Sequence, residues 1–302
     1  LVKKEWQQQS IAGLQGFVMN MSHMQLNDIR VRQALVLSFD FESVNRRMFY
    51  GVYTRSNSFF TNSEMAATGK PTDAELAILL PLKNQLSAAV FSQNVPQPPK
   101  VDPKLGVRPN LLQARSLFEQ AGFRYQNGVL VDKKGKPLVL EFVTYNKNFG
   151  RVVSKWQRDL AKIGVTLKVR VTDSAVFRKR LDDFNFDLTI TNYSNSESPG
   201  NEQFDYYSCA TAKTPGSRNY AGMCDPAIEV LLKRFESFNN RADLVASARA
   251  LDRVLRHQYI IVPNWYSDTY RVIYRENLGV PSRPPKYDSA MDWALKTWWV
   301  QK

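Results

Sequence analysis

Between Leu138 and Asn192 the spacing of apolar residues switches repeatedly between a period of two and a period near 3.6. Leu138 to Tyr145 predicts a strand. Val152, Val153, Trp156, Leu160 and Ile163 then fall at helical spacing, and Gly164 ends that helix. Val165, Leu167, Val169 and Val171 alternate as a second strand, and residues 174–182 predict a short helix. Phe184, Phe186, Leu188 and Ile190 alternate with polar residues as a third strand, read over residues 184–192. Strands joined by helices in this order close as an α/β sheet with parallel neighbours, because each crossover helix covers a face of the sheet. Ligands of such sheets bind outside the carboxyl ends of the strands. Two loops occupy those ends, Tyr145 to Arg151 and Tyr193 to Asn201.

The flanking chain supplies the rest of a large domain. Gly16 to Met21 predicts a strand, Asn27 and Asp28 offer N-caps for a helix through Val31, Ala34, Leu35 and Ser38, and a second helix runs from Phe41 to Tyr50. Thr72 to Leu86 predicts a helix interrupted by Pro81. The four prolines between Val95 and Pro103 impose extended surface chain. Pro109 opens a helix stopped by Gly122, and Asn127-Gly128 and Lys134-Gly135-Lys136 carry hairpin turn chemistry. Asp225 and Pro226 begin a helix to Phe238, which pairs antiparallel with one from Ala242 to His257; Tyr259 to Tyr266 predicts a strand. The tail holds Trp293, Trp298 and Trp299, apolar material whose packing partner is not evident nearby.

Composition narrows the function. With 43% hydrophobic and 12% aromatic residues the chain is a folded protein, and no apolar run reaches the length of a membrane span. The net charge of +13 invites a nucleic-acid or anionic-surface partner. Lys and Arg are instead scattered, with only short clusters at Lys133-Lys134-Gly135-Lys136 and Arg178-Lys179-Arg180, so the charge reads chiefly as a solvated surface. A basic nucleic-acid- or anionic-surface-binding protein is the alternative function. No Gly-x-Ser-x-Gly elbow, P-loop, His-Glu-x-x-His motif or Cys-His pair is present, which argues against an enzyme and against a cofactor. The two cysteines, Cys209 and Cys224, are compatible with buried thiols or a disulfide; a metal site is disfavoured because His23 and His257 show no ligand spacing.

Several blocks in order resemble a known family: Asn27-Asp-Ile-Arg-Val-Arg-Gln-Ala-Leu35, Ala114-Arg-Ser-Leu-Phe-Glu-Gln-Ala-Gly-Phe123, Trp156 to Val169, Asn219-Tyr-Ala-Gly-Met-Cys-Asp-Pro226 and Ile261-Val-Pro-Asn-Trp-Tyr266. Together they are similar to the C-terminal half of bacterial extracellular solute-binding proteins of family 5, the peptide-binding group that serves ABC importers. Within it the wording is most similar to the Yej-type component associated with peptides and microcin C. The resemblance implies the C-terminal lobe of a two-lobed clamp of α/β class, with a mixed sheet flanked by helices. It implies a periplasmic location, a peptide ligand, permease subunits of an ABC transporter as partners, no nucleic acid, and a disulfide between Cys209 and Cys224. Residues 1–15 read as a lead-in from a missing N-terminal lobe, 16–270 as the ligand-binding lobe, and 271–302 as a segment returning to the first lobe. The start at Leu1, without an initiator Met or signal peptide, reads as a mature or truncated fragment. Crossings between lobes are expected near Gly16–Asn20 and Pro263–Arg271.

Eight residues are candidate ligand contacts. Arg151 stands, by resemblance, where similar peptide binders carry a basic carboxylate-binding residue, and a guanidinium holds a carboxylate or phosphate bidentately. Those binders carry a Trp and then an amine-pairing Asp in the loop after the third strand. Here the Trp position is Tyr193 and the Asp falls among Asn195, Ser196 and Glu197. Glu197 offers an anion and Asn195 a neutral acceptor, a departure that fits a modified peptide such as a peptide-nucleotide. Trp265 and Tyr266 are candidate aromatic walls, and Arg218 and Asn219 candidate contacts inside the cysteine-bracketed loop.

Overall fold

The computed structural model describes residues 1–286 and 288–301. The chain opens with β1 (Val2–Gln7) and β2 (Leu14–Met19). Helices α1 (Ile29–Ser38) and α2 (Phe41–Phe49) follow, each with an aspartate at its N-cap: Asp28 accepts from the Arg30 N–H and Asp40 from the Ser43 N–H. A long excursion leads to α3 (Arg108–Gln120). The alternating run is β3 (Val139–Thr144), α4 (Lys147–Ala161), β4 (Thr166–Val171), α5 (Ser174–Asp182) and β5 (Leu188–Tyr193). Helices α6 (Pro226–Lys233) and α7 (Arg241–His257) lead to β6 (Ile261–Pro263), β7 (Thr269–Tyr274) and α8 (Ala290–Thr297). Among the described residues no helix is long and apolar enough to cross a membrane.

The main sheet has the order β4-β3-β5-β2-β6. β3 runs parallel to both β4 and β5, whereas β2 is antiparallel to β5 and β6, so the sheet is mixed. Strand alternation sends Phe17, Phe142 and Leu188 to one face, where they bury with α1, α3 and α4; Leu14, Val18 and Val143 point to the other, against α5, α6 and α7. Trp156 anchors α4 to the sheet. It is fully buried, stacks on Phe17 at 5.5 Å between ring centroids, and donates its indole N–H to Ser38 Oγ at 2.7 Å. Gly16 lets β2 and β6 approach closely, because a Cβ there would stand 2.6 Å from the Val262 carbonyl oxygen.

Several sequence expectations shift. The third strand begins at Leu188, not residue 184: Phe184 adopts φ +53° and the Asn185 N–H bonds Arg180 O, so these residues finish α5. The stretch 259–266 breaks into β6 and a two-residue strand, Trp265–Tyr266, which pairs with Thr54–Arg55. The helix around Pro81 ends at Leu79 and continues as a single 3-10 turn, Leu80–Leu82, and α6 stops at Lys233 with a 3-10 turn to Glu236.

β1 and β7 form a separate antiparallel ladder, from Val2↔Tyr274 to Gln7↔Thr269. The aromatic tail packs on it: Trp293 is buried, with its ring 4.9 Å from Trp6 and 5.4 Å from Trp298. The chain therefore passes between ladder and sheet over residues 8–13 and 264–268. The crossing expected at Gly16–Asn20 lies instead inside the sheet, because β2 is paired on both sides there.

Candidate ligand-binding site

The carboxyl ends of β3, β4 and β5 form one open edge. β3 and β5 are direct neighbours, with Val143 level with Thr189, and β5 runs on to Tyr193, so the loop after β5 starts roughly 10 Å further along the strand direction than the loop after β3. After β3 the chain turns into α4 through Asn146, whose side chain accepts from the Asn148 N–H and whose own N–H bonds Thr144 Oγ1. This turn presents Tyr145, 54% exposed and resting against Phe177 at 5.1 Å, and then Arg151, which is exposed in the first turns of α4. Arg151 takes no hydrogen bond or ion pair among the described residues, so its guanidinium is available to a ligand. Gly150 keeps α4 close to β4, with Val171 only 3.3 Å from where its Cβ would be.

Trp265 and Tyr266 stand behind this turn. Trp265 is 9% exposed, in an aromatic box with Phe49 at 4.8 Å, Tyr53 at 6.1 Å and Phe149 of α4 at 6.1 Å. It supports the Arg151 turn through Phe149 instead of forming a ligand wall, because its own faces are already covered. Tyr266 is half-buried in the strand pair with Thr54, and burial raises its phenol above the ordinary value.

The loop after β5 is held from below. Asn195 donates to Phe59 O at 2.8 Å and accepts from Gln203 Nε2 at 2.6 Å, so both ends of its amide are engaged. Glu197 Oε2 lies 3.4 Å from Arg241 and 3.5 Å from Lys286, while Oε1 is buried without a hydrogen-bond partner among the described residues. Arg241 also donates to the Glu197 carbonyl and to Glu64, and its hydrogen bonds hold the Glu64 carboxyl below the usual range. Sequence reasoning missed Arg241 and Lys286, which are distant in the chain. It also passed over Tyr145, although an aromatic residue directly after an alternating strand and before an N-cap is a legible signal.

Two further candidates are corrected, as Trp265 was. Tyr193 is a core residue, 1% exposed, its ring between Phe59 at 5.5 Å, Tyr206 at 5.3 Å and Tyr207 at 5.4 Å. Burial pushes its phenol far above the ordinary value. Asn219 is fully buried and clamps its own loop: Nδ2 donates to Ser208 O and Met223 O, and Oδ1 accepts from the Met223 N–H. Every strong group on that side chain is used within the protein, so it has none left for a ligand.

Cys209 and Cys224 are joined in a disulfide, with Cα atoms 4.2 Å apart. Closing this loop contributes about 3 kcal/mol in the chain-entropy description. The disulfide loop also presents Arg218, exposed at the edge of β5, where it stacks on Tyr206 at 4.7 Å and donates to Asn192 O at 3.0 Å. His23 pairs with Asp187 at 2.7 Å near the start of β5, and the described residues contain no cluster of His, Cys, Asp or Glu able to hold a metal. The edge therefore offers one unpaired cation, a buttressed anion, a stacked cation and an exposed aromatic. Among these residues there is no nucleophile with an activating base.

Comparison with known proteins gives the family and the fold. The profile of bacterial extracellular solute-binding proteins, family 5 (middle), matches residues 2–215. The chain is 35% identical over 294 residues to a probable peptide-binding protein YejA of Agrobacterium fabrum, covering 97% of this chain and 47% of the relative. It is 29% identical over 300 residues to the peptidoglycan-binding protein YepA of the same organism, covering 99% and 48%. The chain thus spans about half the length of the curated relatives it matches. The oligopeptide-binding protein AppA of Bacillus subtilis, solved with a nonapeptide, superposes with a TM-score of 0.66 at 18% identity, covering 99% of this chain and 53% of that one. These relatives and fold neighbours are solute-binding proteins and not enzymes. Family profile, relatives and fold converge: the chain belongs to family 5 of the bacterial extracellular solute-binding proteins.

Proposed function

We propose that this chain is the ligand-binding lobe of a periplasmic protein that captures peptides and delivers them to the permease of an ABC importer. The observation that carries the reading is the open carboxyl edge of the sheet, with the unpaired Arg151 exposed in the first turns of α4. An exposed guanidinium at this edge suits a ligand with an anionic end, and the peptide-binding relatives support a peptide as that ligand. Residues 16–270 would form this lobe. Residues 1–15 and 271–302 would complete the other lobe, which explains the exposed apolar side chains around the ladder: Ile273 at 62%, Leu295 at 79% and Trp299 at 53%. A ligand that touches both lobes lowers the free energy of the closed clamp relative to the open one, and the closed form is what a permease would read.

The finer reading is a ligand whose amino end is not a plain ammonium. Glu197 already faces Arg241 and Lys286, so an incoming ammonium meets a carboxylate whose charge is largely compensated. A modified peptide, including a peptide-nucleotide of the microcin C kind, depends less on that contact and places a phosphate or carboxylate on Arg151 or Arg218. Native mass spectrometry of the full-length protein purified from its own periplasm tests this. The expected result is an adduct of peptide or modified-peptide mass. A metal complex or a sugar as the retained species would overturn the reading.

A further inference from the structure

On the α1/α3/α4 side of the sheet, away from the ligand edge, α2, α3, α4 and the proline-rich segment enclose a groove of about 850 Å3. Arg158 lines it seven residues beyond Arg151 on the same helix, roughly 10 Å further along the axis. Two sequence features that the ligand site does not use meet here: part of the basic excess and the end of the four-proline stretch.

Its charges divide into two sets. The acidic groups are largely satisfied internally: Asp159 pairs with Lys162 at 2.7 Å and with Lys155, Lys155 also reaches Asp40 at 3.1 Å, and Asp102 caps its own turn. Arg46, Arg47, Arg108 and Arg158 are exposed, and none has an ion-pair or hydrogen-bond partner among the described residues. Between them Leu105 is 65% and Leu112 59% exposed. Glu42 Oε2 is buried at the wall without a donor. An occupant that completes the groove must bring anions for four guanidiniums, apolar groups for two leucines and an N–H or O–H for Glu42.

We propose that this groove docks an acidic, amphipathic peptide segment of a partner protein. Carboxylates meet the guanidinium forks, leucine-like side chains cover Leu105 and Leu112, and a peptide carries N–H donors as well. A bare phosphate brings no apolar group to cover Leu105 and Leu112. The rigidity of the proline-bearing wall lowers the entropy lost when a segment docks.

The test uses the 302-residue chain and a fluorescent peptide of about twelve residues, three helical turns, with Glu and Leu at helical spacing. Anisotropy titration should show saturable binding that weakens with added salt. Arg46→Glu combined with Arg158→Glu should weaken it about tenfold or more, equivalent to about 1.4 kcal/mol, with an unchanged melting temperature. Leu112→Asp, an exposed change on a different helix, should weaken it as well, and it serves as the variant if the charge reversals impair folding. A peptide with Lys in place of Glu should not bind, and phosphatidylglycerol vesicles should not retain the protein on sedimentation. Absence of acidic-peptide binding, equal binding by the variants, or retention on vesicles without peptide binding would overturn the proposal.

Discussion

Replacing Arg253 by Met should cost about 3–5 kcal/mol of stability, because it strands a carboxylate in the interior. Arg253 and Glu75 are both essentially without solvent exposure, with Nε donating to Oε1 at 2.9 Å. The same guanidinium donates to Gly69 O and Thr68 O, and the second Glu75 oxygen accepts from the N–H and hydroxyl of Thr72 in a capping box. One side chain of α7 therefore fixes the loop and first turn of the helix Asp73–Leu79. Thermal unfolding of Arg253→Met should shift down by roughly 10 °C. The double variant with Glu75→Gln should recover part of the loss, since the uncompensated charge is gone. A single variant that melts with the parent would show that the loop does not depend on this pair.

Trp156→Ala should cost a comparable amount, about 3–5 kcal/mol. The indole fills the space between α4 and the sheet, stacked on Phe17 with Phe39 edge-on at 5.9 Å. Its removal leaves a cavity that the close-packed flanking rings cannot fill without moving off their rotamers. Trp156→Phe keeps most of the volume and loses the bond to Ser38 Oγ, so it should fall between parent and Ala. Urea denaturation of the three proteins gives the order directly. Equal midpoints for Ala and parent would mean that α4 is not anchored at this residue.

The local signals of the fold were legible where a cap or breaker marked them. α5 spans Ser174–Asp182 as its spacing predicts, because Asp173 accepts from the Val176 N–H and fixes the start. Gly164 ends the turn after α4 at φ +75°, a conformation that favours glycine. The alternation around Phe184 misled for a physical reason: Phe186 is buried by the turn leaving α5, not by a strand face.

The candidate site was only half legible. Tyr193 is the last residue of β5, on the same face as Thr189, which is fully buried. The alternation of the sequence puts Tyr193 on the polar face, opposite Leu188 and Ile190, whereas both faces of β5 are covered, as the full burial of Leu188 and Thr189 shows. Asn219 shows a different limit. Whether a polar side chain binds a ligand or clamps its own loop depends on which carbonyls fold against it, and here those belong to Ser208 and Met223. The pairings of β1 with β7 and of Glu197 with Arg241 join residues far apart in the chain, and no periodicity records them. The disulfide, by contrast, followed from the family resemblance once its redox compartment was supplied.

The most direct test of the central claim, that the carboxyl edge of this sheet is a ligand wall, is calorimetric titration of the full-length protein with a peptide found in its native adduct. Arg151 is exposed and unpaired, so Arg151→Glu should leave the melting temperature unchanged. It should weaken the peptide about tenfold or more, about 1.4 kcal/mol, and weaken the carboxy-terminal amide of that peptide much less. Equal affinity of parent and variant for the free-acid peptide would contradict the account.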